Sequence, residues 1–115
     1  MKKAYLVFSM LVLPILIMLS CSKNGGDNEN FDCTGVTASY STNAGPLFQT
    51  YCNQPACHDA ASTNDPGPLT NYSQIYTVRL RIREQVKQGL MPQNTTLTAE
   101  QKKIIICWID SGASY

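Results

Sequence analysis

The pattern of apolar and polar positions changes character several times along the chain. Leu6 to Leu19 is an almost unbroken apolar run of about fourteen residues behind the basic start Met1-Lys2-Lys3. A membrane span needs about twenty such residues, so the shorter run suits the core of a signal peptide. Ser22 to Asn30 is polar throughout and reads as a flexible tether with nothing to bury. Val36 to Tyr40 is too short to assign. Asn43 to Tyr51 has helical spacing: Leu47, Phe48 and Tyr51 share a face, Pro46 lies near the first turn, and Asn43 is a candidate cap. Asp59 to Thr70, with Asp65-Pro66-Gly67-Pro68, is loop. Ser73 to Gln88 predicts one helix with the stripe Ile75, Val78, Ile82 and Val86, closed by Gly89. Leu90 to Asn94 is a second loop. Thr98 then opens the best-marked helix, with Gln101 as its capping-box partner. Ile104, Ile105, Cys107, Trp108 and Ile109 form its wide apolar face, and Gly112 is its stop. No stretch alternates well enough for a sheet. The predicted class is all-α, about three helices with long loops.

Composition sharpens this picture at the N-terminus. The hydrophobic fraction of 43% is inflated by the leader. Met18-Leu19-Ser20-Cys21 resembles the lipobox of bacterial lipoproteins, which implies lipidation of Cys21. The alternatives are a signal peptide cut elsewhere or an uncleaved anchor; in each case the rest of the chain is exported. The expected organisation is a signal peptide over 1–20, a tether over 21–32 and one domain over 33–115. Removing Lys2 and Lys3 from nine basic residues leaves seven against eight acidic ones, a mature net charge near −1. That balance argues against nucleic acid and against charge-driven membrane binding. Arg79, Arg81, Arg83 and Lys87 read most simply as a solvated helix face, the alternative being a docking patch for an acidic partner. A folded part of about 80 residues buries only a modest core, so a staple is expected.

The candidate chemistry lies in Tyr51-Cys52-Asn53-Gln54-Pro55-Ala56-Cys57-His58. Two thiols beside an imidazole are what covalent haem attachment needs: the thiols add to the porphyrin vinyl groups and the imidazole reaches the iron. The usual spacing has two residues between the cysteines; here there are four. On a helix the shorter gap turns the Cβ direction by about 300° and the longer by about 500°. The longer loop must therefore bulge or bend, and Pro55 favours a non-helical path. His58 is the single histidine of the chain, and Met91 is the one methionine of four outside the leader. A thioether opposite an imidazole raises the reduction potential of haem iron, which makes Met91 the candidate distal ligand.

Gly45-Pro46-Leu47-Phe48, Cys52, Cys57-His58, Met91-Pro92, Leu97-Thr98 and Trp108-Ile109-Asp110-Ser111-Gly112-Ala113 together resemble a small class I c-type cytochrome, of the single-haem kind found in bacterial envelope lipoproteins. The resemblance covers roughly residues 33–115. It implies a cytochrome c-like domain wrapped around one covalent haem c, bound through Cys52 and Cys57 with His58 proximal and Met91 distal. It also implies that Phe48 packs on Trp108 where the first and last helices cross. The four-residue gap departs from the family pattern.

Cys33 and Cys107 remain, and in an oxidising envelope a disulfide between them is expected, the alternative for Cys107 being a buried thiol. Leu47, Leu69, Tyr72, Ile75, Leu90, Ile105 and Ile109 are the candidate apolar residues of the haem pocket. Two rival readings fit the same cysteines. One is a haem-free, disulfide-stapled interaction module with Cys52–Cys57 also bridged. The other is a zinc site from Cys33, Cys52, Cys57 and His58 or Cys107. A Met-ligated iron has no open position and no second histidine is present to act as base, so an electron carrier is expected rather than an enzyme. Its expected partners are redox proteins of the cell envelope and the membrane holding its lipid anchor.

Overall fold

The computed structural model describes residues 31–115. The leader, Cys21 and most of the tether lie outside the described residues. Those described contain helices and no strand, so the domain is all-α. No helix among them is long and apolar enough to cross a membrane.

A π-helical turn, Tyr40–Ala44, runs directly into α1, Gly45–Tyr51. Asn43 does not cap α1 as its sequence position suggested: its Oδ1 accepts from the Ser39 N–H, 3.2 Å away, and braces the π turn instead. In that wide turn the Gly45 N–H reaches the Tyr40 carbonyl. A Cβ on Gly45 would stand 2.5 Å from the Tyr40 oxygen, so only glycine lets the backbone pass. Gly45→Ala is expected to cost about 1–3 kcal/mol through forced repacking. Thermal unfolding followed by circular dichroism checks this, and an unchanged midpoint would mean the π turn relaxes freely.

Ser73–Gln88, expected as one helix, is two: α2, Tyr72–Thr77, and α3, Arg79–Lys87. The break is at Val78, whose N–H closes back on Ile75 while the Arg79 guanidinium takes the Tyr76 carbonyl at 2.8 Å. A side chain entering the helical ladder is an ordinary cause of a kink. The break also serves two packing partners. Tyr72 donates its hydroxyl to the Ala113 carbonyl, and Arg83 makes a two-pronged ion pair to Asp110 at 2.6 and 2.9 Å. Arg81 pairs with Asp65, so two of the four cations on this face are held in ion pairs.

α4, Ala99–Asp110, begins with the predicted capping box of Thr98 and Gln101. It ends at Gly112 (φ +104°), whose N–H bonds Ile109 while that of Ala113 bonds Trp108. This pairing satisfies the last carbonyls as in a Schellman motif. Ile105, Ile106, Cys107, Trp108 and Ile109 are all buried. Trp108 meets Phe48 edge to face at 5.6 Å, the crossing implied by the resemblance. Its indole N–H is satisfied by the Ser114 carbonyl at 2.7 Å. A disulfide joins Cys33 to Cys107 and ties the entering segment to α4. Phe31 and Ala38 pack against the same core.

Candidate functional site

α1 ends at Cys52, whose N–H bonds the Phe48 carbonyl at 2.9 Å. The chain then folds into a compact loop. Gln54 and His58 both donate their N–H to the Cys52 carbonyl, and Cys57 donates to Gln54. Ala56 takes a left-handed backbone (φ +65°), a conformation that costs an alanine about 1–2 kcal/mol and lets four residues bridge the cysteines. This is the bend that the long spacing demands.

His58 is buried at 8% exposure, and its Nδ1 lies 2.9 Å from the Gly67 carbonyl oxygen. A carbonyl can only accept, so Nδ1 carries the proton and the neutral ring keeps its lone pair on Nε2. Nε2 has no hydrogen-bond partner among the described residues, yet no buried side-chain polar atom among them lacks one. Nε2 therefore reaches open space. The His58 carbonyl in turn accepts from Leu69. The Asp59–Thr70 loop is thus more than a connector. Ser62 and Asn64 hold the Cys57 carbonyl and Gly67 fixes the histidine tautomer, as partners behind metal-binding imidazoles do.

The Met91 loop is set by the end of α3. Gly89 (φ +70°) donates to Val86, and the N–H groups of Leu90 and Met91 both close on Gln85. This Schellman closure delivers Met91 to the same place as the histidine. Between the loops and α3 lies a cavity of about 920 Å³, within the size range of cofactor sites. Cys52, Cys57, His58 and Met91 all line it. Exposed Asp65, Arg81, Gln93, Asn94 and Thr95 surround it with a polar rim in which Asp65 and Arg81 neutralise each other.

Of the seven apolar residues predicted for the pocket, Leu69 alone lines it. Ile75, Ile105 and Ile109 face the protein core, Leu47 and Tyr72 pack at its edge, and Leu90 is 52% exposed. Ile82, Val86 and Pro66 line the cavity in their place. Ile82 and Val86 were legible as one helix face, but not which of two neighbours that face would meet.

Cys52 and Cys57 are free thiols. Burial, with Cys57 nearby, pushes the Cys52 thiol up to about 11. The zinc combination is broken, because Cys33 and Cys107 are consumed by their disulfide. Among the described residues no three His, Cys, Asp or Glu side chains gather closely enough to hold a metal ion. An imidazole with a free Nε2, a thioether and two thiols around one cavity could instead hold a haem covalently. The residues present fit that group. No family model, curated protein or solved structure matches this chain.

Proposed function

We propose that this chain is an exported, lipid-anchored electron carrier with one covalent c-type haem. Cys52 and Cys57 are the attachment thiols, His58 the proximal ligand and Met91 the distal one. The observation that carries this reading is His58, the one imidazole of the chain, held by Gly67 in the tautomer that frees Nε2 toward a cavity also lined by both thiols and Met91. Bound there, the haem supplies a one-electron iron couple. The chain's own residues orient the imidazole, bring up the thioether, and exclude water behind Leu69, Ile82 and Val86. The exposed, electrically neutral rim suits brief encounters with redox proteins of the cell envelope. Nothing in the charge balance favours nucleic acid. Cys21 would carry the lipid that holds the domain at a membrane.

The test is an absorption spectrum of the chain expressed with a cytochrome c maturation system, followed by a denaturing gel stained for haem. A sharp reduced α-band and haem that survives denaturation are expected. A colourless protein whose mass shows two disulfides would hand the reading to the haem-free interaction module. Met91→Ala should keep its haem while losing the low-spin, high-potential state. The potential should fall by roughly 0.1 V or more, within the roughly 0.8 V that axial ligands span. An unchanged potential would remove Met91 from the iron.

A further inference from the structure

The domain has two unlike ends, and α4 separates them. At its first turn Gln101 donates to the hydroxyl of Tyr51, a residue of the cavity wall, at 2.8 Å. The cavity mouth there is polar: the Nδ2 of Asn94 reaches the Cys57 sulfur across it at 3.7 Å. The Cys33–Cys107 bridge fastens the entering segment to the last turn of α4, and just beyond it the Ser114 carbonyl accepts from the Tyr40 N–H. The 12 residues of the helix put about 18 Å between these ends. Exposed tyrosines gather at the second one. Tyr115 is 70% exposed and meets the rings of Tyr40 and Tyr72 at 5.7 and 5.2 Å; Tyr72 continues to Tyr76 at 5.5 Å. The Arg79 guanidinium lies 3.9 Å over the Tyr76 ring, and Leu80, next in the chain, is 65% exposed. Arg79 has no acidic partner among the described residues.

We propose that this tyrosine patch docks on the lipid–water interface of the membrane that holds the anchor, which turns the cavity mouth away from the bilayer. The inference rests on the lipid-anchor part of the reading above and not on the haem. Tyrosine rings, apolar in body and polar at the tip, settle at headgroup level, and so does a cation on a long apolar stem. Ten residues, Cys21 to Asn30, lie between the proposed lipid and Phe31, which packs on the core. Such a length spans at most about 35 Å. A domain the size of residues 31–115 is about 30 Å across, so bringing its far end to the bilayer would use nearly the whole tether. The patch lies instead at the end where the tether is fastened. The near-neutral charge of the exported chain adds no general attraction to a bilayer, so the patch is weak by itself. The anchor makes its contact intramolecular, at an effective concentration of roughly mM order, and a weak patch then suffices to orient the domain. The cavity is left open to proteins approaching from the aqueous side.

The experiment takes the full chain, expressed with lipoprotein processing, into vesicles of phosphatidylethanolamine and phosphatidylglycerol. A small share of the lipid carries a diazirine at the top of its acyl chain. Light converts this group to a carbene that inserts into whatever bond is nearest, and peptide mass spectrometry locates the adducts. Interfacial groups sit about 5–10 Å into the headgroup–acyl boundary, so residues 72–80 and 111–115 should label at least about fivefold more than the cavity loop 91–95. Tyr76→Ser combined with Leu80→Ser removes two exposed contacts and should at least roughly halve the labelling of 111–115, with helicity by circular dichroism unchanged. Equal labelling of the two ends, or a cavity loop labelled first, would overturn the docking. So would unlabelled tyrosine segments in a chain whose mass shows a lipid on Cys21, and the anchor would then stand without the docking. A mass without lipid at Cys21 overturns the anchor reading and the docking with it. The haem stain is read separately and is moved by none of these results.

Discussion

His58→Ala is expected to yield a folded but colourless protein. The substitution removes the one imidazole of the chain, and no other residue of that type is present to take over. It also strips the Gly67 carbonyl of its 2.9 Å partner. Leaving such a group unpaired costs roughly 1–3 kcal/mol when buried, and Gly67 is partly open to water, which favours the lower end. The Phe48–Trp108 contact and the Cys33–Cys107 bridge do not involve His58, so the fold should survive. Haem-stained gels of protein made with the maturation system should show less than about a tenth of the wild-type signal, with helicity by circular dichroism retained. Wild-type haem content in this variant would sink the proximal assignment.

The second large effect concerns stability. Cys33 and Cys107 lie 74 residues apart in sequence, and their bridge spans nearly the whole domain. In the chain-entropy account, closing a loop of that length stabilises by about 4 kcal/mol. A small domain has roughly 5–15 kcal/mol in total, so the bridge carries a large share. Replacing both cysteines by alanine avoids burying a new polar group at Cys107, which is 2% exposed inside α4. The double variant should lose about 4 kcal/mol and unfold some 15–30 °C lower, read by calorimetry. A loss under about 1 kcal/mol would mean that the packing of Phe31 and Ala38 alone orders the entering segment.

Where the chain marks its own boundaries, the marks were readable. Thr98 and Gln101 satisfy the first N–H groups of α4, while Gly89 and Gly112 supply the left-handed backbone that ends α3 and α4. These are local bonds, made by residues three to five apart, and they need no tertiary context. The candidate site residues stood out in the sequence for a different reason. A single histidine in the chain and one methionine among the described residues leave little choice of candidates, and the structure brings Met91, His58 and both thiols to one cavity.

Other features rest on particular contacts that hydrophobic spacing does not mark. At Val78 the Arg79 guanidinium enters the ladder, and the two halves are then held separately, Tyr72 by Ala113 and Arg83 by Asp110, partners 41 and 27 residues away. The π turn depends on how closely Gly45 can pass Tyr40, which apolar spacing does not encode. Gly67 and Asn94 looked like plain loop residues, because a carbonyl that holds a tautomer and an amide that meets a sulfur leave no periodic signal.

By itself, then, the sequence determined the helical class and three of the helix ends, and it singled out four residues that line one cavity, since each follows from short-range bonding or from scarcity. Only the tertiary structure decided which apolar faces close the core and which line the cavity. Ile75 and Ile82 sit on one stripe and both join the core, yet of the two only Ile82 also lines the cavity. Hydrophobic burial is non-directional, so a stripe shows that a face is covered but not by what.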